Sequence, residues 1–168
     1  MPASTTGLAY SHLQTPLGPI TILVSQRGLA GVSFGMAAPE GARLDPQATS
    51  RAVRQLSEYF HGKRRNFQLR LDWRGTAFQR QVWRALLRIP YGQTRSYGDV
   101  ARRLRPRAFG RLARAVGGAN RANPWAIVVP CHRVIGADGG LTGYGGPGGV
   151  NKKRWLLHLE RAGGRPRA

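Results

Sequence analysis

The side chains best suited to chemistry in this sequence lie together in residues 130–135, Pro-Cys-His-Arg-Val-Ile. This hexapeptide holds the only cysteine of the 168 residues and sets it beside an imidazole and a guanidinium. A thiol with a pKa of about 8.5 becomes a strong nucleophile when a base or a positive charge favours the thiolate. The pattern therefore predicts a nucleophilic Cys131. The alternative, which the hexapeptide leaves open, is a buried cysteine that only fills space in the core.

Several elements must position this cysteine. The apolar run 125–129 leads into it and predicts a buried strand that would place Cys131 at the end of a rigid element. Earlier in the chain, Thr76 is suited to cap a helix over 76–88. Ser96 is suited to cap a second helix, and a third is predicted over 111–120. Two short helices joined by a turn indicate a helix-turn-helix.

The last of these helices carries an unusual stripe. Gly117 and Gly118 follow Arg114 at i+3 and i+4, and Arg121 follows at i+7, so one face has little side-chain bulk. Glycine inside a helix costs roughly 1 kcal/mol relative to alanine. The pair therefore needs a reason, which is either close helix packing or close docking on DNA.

Residues 1–75 predict a scaffold domain. Val53, Leu56 and Phe60 share one face of a predicted helix, and 36–45 is predicted to be a loop. The alternation over 67–71 predicts an edge strand before Gly75. Residues 76–162 are predicted to form a second domain, and 163–168 a disordered tail. Three apolar runs predict an antiparallel meander: 8–13, 20–24 and 29–34.

Charge indicates a polyanionic partner. The formal net charge is +20, from 27 basic and 7 acidic residues. Residues 1–70 carry 8 basic and 3 acidic residues (+5), whereas 71–168 carry 19 and 4 (+15). Such clustering on the half that holds Cys131 favours nucleic acid, although a compositional bias towards arginine is an alternative explanation.

Other classes of site are not expected. One cysteine forms no intrachain disulfide and no cysteine-rich metal cluster, so we predict no metal and no cofactor. The glycine-rich stretch 139–149 lacks the spacing of a phosphate-binding loop, which argues against nucleotide hydrolysis. No signal peptide and no membrane-length apolar run is evident. We therefore expect an intracellular, cytoplasmic protein without a membrane partner.

These residues resemble a known family. The hexapeptide resembles the active-site signature of the O6-alkylguanine-DNA alkyltransferases, also called methylated-DNA–protein-cysteine methyltransferases. The resemblance is strong over roughly 75–161 and less specific before it. It implies an α+β fold, with a ribonuclease H-like antiparallel sheet plus helix followed by a mainly helical domain that contains a winged helix-turn-helix. Further motifs follow in family order: 89–94, 96–98, 113–120, 123–124, 143–145, and 155–157 with Glu160.

The resemblance also implies the activity. Such proteins bind duplex DNA through the minor groove, flip out an O6-alkylguanine or an O4-alkylthymine, and transfer its alkyl group irreversibly to the cysteine. By the same resemblance, Arg114 fills the gap left by the flipped base. Tyr97 helps to turn the backbone and donates a proton to the base. Ser96, Gly117, Gly118 and Arg121 belong to the DNA-binding surface. The expected partner is duplex DNA with an alkylated guanine or thymine, and the expected form is a monomer, with cooperative assembly on DNA left open.

A proton relay of Cys131, water, His132 and Glu160 carries over from the family. Neighbouring side chains of an extended chain point to opposite sides, so no direct contact between Cys131 and His132 is expected. Asn123 is implied to tie the helix-turn-helix to the active-site segment. Without the resemblance, Glu160 could equally be a helix-end carboxylate paired with Arg161 or Lys152, and Asn123 plain turn chemistry.

The implied substrate pocket consists of the Val134 carbonyl, Tyr144, a bracing Arg133 and the backbone N–H of Gly145. Two features depart from the family pattern. Gly145 stands where some relatives have serine, and 104–112 is longer, which adds Arg105, Arg107 and Arg111. Some members hold zinc with additional cysteines, which this chain lacks.

Two other functions are alternatives at this point. One is a non-catalytic module that flags alkylated bases, but close relatives of that kind lack the cysteine. The other is a Cys/His/Glu hydrolase, which would turn over and would need an oxyanion hole. A hydrolase gives no reason for a basic helix-turn-helix.

Overall fold

The N-terminal half folds around a four-stranded sheet. The computed structural model describes residues 7–144 and 148–164. Strands β1 (Ala9–Thr15), β2 (Gly18–Ser25) and β3 (Gly28–Phe34) form the predicted antiparallel meander. A short β4 (Arg43–Leu44) lies in the predicted loop and pairs in parallel with β1, giving the order β3-β2-β1-β4.

Helix α1 (Pro46–Phe60) packs on this sheet, as the apolar spacing predicted. Its N-cap is Asp45, whose side chain accepts a hydrogen bond from the backbone N–H of Ala48. Leu56 is fully buried and belongs to the same hydrophobic core as the sheet residues Ile20 and Ile22. Tyr59, three residues after Leu56 on the same face of α1, is also fully buried.

The edge strand predicted over 67–71 is wrong. Only Leu71 makes a bridge, to Leu29. The side chain of Gln55 donates to the Gln68 carbonyl (3.2 Å) and accepts from the Gln68 N–H (2.9 Å). A side chain on α1 thus satisfies backbone groups that a neighbouring strand would otherwise have paired.

The C-terminal half is mainly helical. Helix α2 (Ala77–Leu86) is followed by β5 (Arg95–Ser96), α3 (Tyr97–Leu104) and α4 (Phe109–Arg121). The predicted N-caps are confirmed, because Thr76 with Gln79 and Ser96 with Asp99 each form a reciprocal capping box. A one-turn 3-10 helix (Cys131–Arg133), strand β6 (Val134–Ile135) parallel to β5, and helix α5 (Gly149–Arg161) complete the order.

The buried strand predicted over 125–129 is also wrong. Trp125 and Val129 are buried, but the segment turns: the Val129 N–H donates to the Trp125 carbonyl, and Ile127 has a φ of 73°. The Asn123 side chain accepts from the Trp125 N–H (3.0 Å) and donates to the Val129 carbonyl (2.8 Å). An apolar run indicates burial, and here a side chain closes a turn inside the core.

Trp125 joins the two halves. Its ring lies between Trp73 and Trp83, with centroids 5.2 and 5.3 Å away. Its indole N–H donates to the Leu29 carbonyl of β3 at 2.7 Å. The segment that leads to the cysteine is therefore fixed to the N-terminal sheet.

At the C-terminal end, Gly163 and Gly164 form a turn in which the Gly164 N–H donates to the Leu159 carbonyl at 2.9 Å. Residues 165–168 of the predicted tail lie outside the described residues, and both its disorder and the domain boundary near Gly75 stay predictions. None of the helices in the described ranges is long and apolar enough to cross a membrane.

Candidate active site

Cys131 is the first residue of the 3-10 helix and is only 6% exposed. Its N–H donates to the Val129 carbonyl (2.8 Å), and its carbonyl accepts from the Asn120 side chain (3.3 Å). The extended geometry predicted for Cys131 and His132 is therefore wrong, because both lie in the 3-10 helix. No hydrogen bond joins the thiol to the imidazole in the part of the chain that the structure describes.

His132 and Glu160 form a fully buried pair. Nε2 of His132 lies 2.7 Å from Oε1 of Glu160, and both side chains have no solvent exposure. Nδ1 of His132 is buried and has no hydrogen-bond partner among the described residues. Nε2 is thus placed to donate to the carboxylate, which leaves Nδ1 as the ring atom that can accept a proton.

Arg133 holds the other side of the same carboxylate. Its Nε and Nη2 donate to Oε2 and Oε1 of Glu160, both at 2.9 Å, and Nη1 donates to the Ile89 carbonyl at 2.7 Å. This bidentate geometry fixes the orientation of the carboxylate. Glu160 therefore faces the interior and is not the surface helix-end ion pair considered from the sequence.

Burial and charge act in opposite directions on these groups. Burial alone would raise the pKa of Glu160, but the hydrogen bonds and charges of His132 and Arg133 outweigh it and hold that pKa well below its usual range. Burial lowers the pKa of His132, and the Glu160 carboxylate only partly offsets this. At neutral pH the site therefore contains a neutral imidazole beside an ionised carboxylate.

The thiol itself is not activated by its surroundings alone. Burial raises the pKa of Cys131, against smaller opposing contributions from the Asn123 side chain and the charge of Lys153. A protonated thiol is a weak nucleophile. Chemistry at Cys131 therefore needs a base, and the nearby imidazole can act as one.

Helix α4 presents the glycine stripe to solvent. A Cβ on Gly117 would meet the Tyr97 ring at 3.8 Å, which is an ordinary contact, and a Cβ on Gly118 would meet none of the described residues within 4 Å. Packing against residues 7–144 and 148–164 therefore does not require glycine at either position. Arg114 and Arg121 are exposed, whereas Val116 and Ala119 on the other face are buried.

Tyr97 and Ser96 lie where α3 begins. The Tyr97 hydroxyl donates to the Thr142 carbonyl at 3.4 Å, and the Ser96 side chain caps the helix. Tyr144 is buried, and its ring lies 6.4 Å from that of His132. Gly145, the predicted pocket residue, lies outside the described residues.

A cavity of about 510 Å³ opens beside Tyr144 and Arg121. A larger one of about 840 Å³ lies in the N-terminal half, where Arg51 and Arg70 line it, and none of the predicted site residues does. Within the described residues, no group of three or more His, Cys, Asp or Glu side chains is placed to hold a metal ion.

The chain matches the models of two domains from known protein families. Residues 77–162 match the model described as 6-O-methylguanine DNA methyltransferase, DNA binding domain. Residues 8–73 match the ribonuclease-like domain of 6-O-methylguanine DNA methyltransferase. The chain belongs to the 6-O-methylguanine DNA methyltransferase family. The family resemblance and the α+β fold predicted from the sequence are thereby confirmed.

Individual members of this methyltransferase family are similar along nearly their whole length. The methylated-DNA–protein-cysteine methyltransferase of Mycobacterium bovis is 50% identical over 157 residues, which cover 91% of this chain and 92% of the relative. That of Methanosarcina acetivorans is 43% identical over 157 residues, covering 90% and 97%. The crystal structure of Mycobacterium tuberculosis OGT in complex with DNA has a TM-score of 0.84 and 48% identity, covering 94% of this chain and 95% of that one.

Sequence reasoning assigned no role to Lys153 and Asn120, two buried polar residues of this site. Lys153 is fully buried on α5, and its Nζ donates to the carbonyls of Val134 and Thr142. Asn120 is also buried and donates to the Cys131 carbonyl. A lysine three residues before Leu156 on the apolar face of α5 is the signal that could have revealed the first. The contact of Asn120 is not visible in any local pattern.

Proposed function

We propose that this chain repairs DNA by transferring the alkyl group of O6-alkylguanine, and of O4-alkylthymine, irreversibly to Cys131. The observation that carries the proposal is the buried His132–Glu160 pair next to the only cysteine, with Nδ1 of His132 available to accept a proton. Relatives that are 50% identical carry the name methylated-DNA–protein-cysteine methyltransferase, which supports the same reaction here.

The proposed reaction begins with the thiol of Cys131. The thiol proton of Cys131 passes through a water molecule to Nδ1 of His132, while Nε2–H remains donated to Glu160. The sulfur then bonds to the alkyl carbon as the bond from that carbon to O6 of guanine breaks. The guanine takes a proton, which we assign to Tyr97, because charge developing on the leaving base must be neutralised. The thioether is stable, so each molecule acts once.

DNA docking is proposed through the exposed face of α4. The minor groove of B-DNA is about 6 Å wide, and the bare stripe at Gly117 and Gly118 would let the helix backbone enter it. In this interpretation Arg114 fills the space of the flipped nucleotide. Ser96 and Arg121 would lie along the same groove.

The proposed pocket for the flipped base contains Val134, Tyr144, Arg133 and Gly145. The Val134 carbonyl already accepts from Lys153, and a carbonyl has a second lone pair that could accept from the exocyclic amine of guanine. Arg133 braces the site through its two hydrogen bonds to Glu160.

The direct test of this function is stoichiometric transfer. The chain is mixed with an equimolar duplex that contains one O6-methylguanine, and the intact protein and its peptides are analysed by mass spectrometry. We expect a mass gain of one methylene on the peptide that contains Cys131, together with unmodified guanine in the DNA. Binding without a mass change would favour the lesion-sensing module, and turnover on esters or peptides would favour the hydrolase.

Replacing Arg114 with alanine tests the base-flipping role. Extruding a paired base costs a few kcal/mol, which an inserted side chain offsets. We expect transfer from a paired lesion in duplex DNA to slow by about 10- to 100-fold, while transfer from O6-methylguanine in a single strand changes little. Arg121→Ala removes the same charge from the same exposed face of α4 and serves as the matched control. Equal losses on both substrates would remove Arg114 from the flipping step.

The arginines in the turn between α3 and α4 and in the first turn of α4 test the extent of the DNA contact. Arg105, Arg107 and Arg111 are all exposed in this longer segment. Each phosphate contact contributes about −0.9 to the slope of log K against log salt concentration. We therefore expect the slope of the triple alanine variant to be shallower by about 2 to 3. Replacing Arg51, Arg54 and Arg70 removes the same charge from the N-terminal half and should leave the slope near that of the wild type.

The working form that we propose is an intracellular, cytoplasmic monomer that acts on duplex DNA. Sedimentation of the chain with and without duplex DNA tests this form and detects any cooperative assembly.

A further inference from the structure

A contact from the N-terminal half reaches the candidate active site. The Tyr59 hydroxyl, on α1, donates to Oε1 of Glu160 at 2.7 Å, across 101 positions of sequence. Both side chains are buried. Burial raises the pKa of Tyr59 well above its ordinary value, and the charge of Glu160 adds to this. The hydroxyl therefore keeps its proton and acts as the donor.

The Glu160 carboxylate is unusually rich in donors. Oε1 receives hydrogen bonds from Tyr59, His132 and Arg133 Nη2. Oε2 receives them from Arg133 Nε and, at 3.2 Å, from the Gly92 N–H. The bidentate arginine and the backbone N–H already fix the position of the carboxylate, so the hydroxyl adds little to its placement. Its effect must instead fall on the oxygen that His132 also uses.

We propose that Tyr59 acts on the alkyl-transfer site through Glu160: its hydroxyl shares Oε1 of Glu160 with His132 and limits how strongly that oxygen attracts the imidazole N–H. The inference rests on the proposed function, because it concerns the same proton path. It gives the N-terminal half, which the sequence predicts to be scaffold only, a direct part in setting the reactivity of the cysteine.

The direction of the effect follows from hydrogen-bond chemistry. Each donor to a carboxylate stabilises the anion and weakens its attraction for any further proton. Without the Tyr59 hydroxyl, Oε1 would hold the N–H of His132 more strongly and would stabilise the imidazolium. Transfer of the thiol proton from Cys131 to His132 would then become more favourable. The thiolate would form at a lower pH.

Several titratable or charged groups surround this proton path. Lys153 lies close enough to Cys131 and His132 to influence both. Those that face Glu160 are Tyr59, Tyr91, His132, Arg133 and Tyr144.

Tyr91 offers a matched control in the same aromatic cluster. Its ring centroid lies 6.2 Å from that of Tyr59. Its hydroxyl is buried and has no hydrogen-bond partner in the described part of the chain. Tyr91→Phe therefore removes a buried hydroxyl without removing a donor to Glu160, whereas Tyr59→Phe removes that donor and keeps the ring.

The experiment measures the ionisation of the thiol in the absence of DNA. The wild type, Tyr59→Phe, Tyr91→Phe and His132→Gln are treated with iodoacetamide across a pH series, and the modified fraction is read by intact mass. Because the chain has a single cysteine, the rate reports on Cys131 alone. We expect the midpoint of the rate profile to fall by about half a pH unit in Tyr59→Phe. In Tyr91→Phe it should stay at the wild-type value.

Three results would overturn the inference. The first is an unchanged midpoint in Tyr59→Phe, even with a lower melting temperature, because Tyr59 would then be a packing residue. The second is a raised midpoint, because the hydroxyl would then promote proton transfer. The third is an equal shift in Tyr91→Phe, which would attribute the effect to the loss of any buried hydroxyl.

His132→Gln separates this inference from the proposed function. If His132 accepts the thiol proton, replacing its imidazole shifts the midpoint of the iodoacetamide rate profile. A displaced His132→Gln profile with an unchanged Tyr59→Phe profile rejects only the role of Tyr59. Unchanged profiles in both variants reject the proton path itself, and the transfer of a methyl group from DNA, measured separately, then stands or falls independently.

Discussion

We expect that replacing Cys131 with serine will abolish alkyl transfer and leave the affinity for lesion-containing DNA unchanged. The hydroxyl is nearly the same size as the thiol, and the backbone contacts of residue 131 to Val129 and Asn120 do not involve the side chain. A hydroxyl is a far weaker nucleophile at neutral pH, so we expect transfer to fall by at least about a thousandfold. Intact-protein mass spectrometry measures the transfer, and fluorescence anisotropy with a labelled duplex measures the affinity.

The two readouts of this variant distinguish the functions considered above. Methyl transfer to any other residue of the serine variant would contradict the assignment of the acceptor. Loss of DNA affinity in the serine variant would instead indicate that the substitution disturbs the 3-10 helix. Retained binding with no transfer is the result that requires Cys131 to be the acceptor atom.

Local features of the fold were predictable because their causes are local. The caps at Thr76 and Ser96 depend on side chains three residues away, and the meander depends on apolar runs with short turns. The strand prediction for residues 125–129 was wrong because burial and strand geometry are different properties. A single side chain, Asn123, supplies the hydrogen bonds that turn this segment back on itself.

The candidate site was predictable only as far as its motif and the family resemblance reached. Cys131, His132 and Glu160 were named from the sequence, and the structure brings the last two together. Tyr59 and Lys153 were not, because each depends on packing between distant elements. Tyr59 lies in a helix whose apolar spacing explains it fully as a core residue, so nothing in its neighbourhood reveals the hydroxyl contact to Glu160.

The second large effect is expected for Glu160→Gln, in both stability and rate. The substitution leaves the buried guanidinium of Arg133 without its counter-ion, which costs about 3–5 kcal/mol in the free energy of unfolding. It also removes the charge that stabilises the imidazolium of His132. We expect alkyl transfer in the folded variant to slow by about 100-fold or more. Urea unfolding and single-turnover mass spectrometry measure the two effects.

Glu58→Gln is the matched control for the loss of one carboxylate charge. Glu58 pairs with Arg64 at 2.6 Å, but both side chains are partly exposed (33% and 23%), so its loss should cost no more than about 1 kcal/mol. It should not change the transfer rate. Equal destabilisation by the two variants would mean that burial of Glu160 adds nothing to its ion pair.

The difference in stability between the wild type and Glu160→Gln depends on pH, because the pKa of Glu160 is lowered in the folded chain. Because the pKa is lower in the folded state than in the unfolded chain, the stabilisation is fully present above the unfolded value of about 4.3. It is lost as the pH falls below that value, by up to about 1.4 kcal/mol per pH unit. The glutamine variant lacks this contribution at every pH, so the difference in the free energy of unfolding between the wild type and Glu160→Gln should narrow from pH 4 to pH 3.

Asp45, Asp72 and Asp99 also have lowered pKa values, but they titrate in both proteins and cancel in the difference. A gap that stays constant down to pH 3 would show that the folded chain does not hold Glu160 as a stabilised carboxylate.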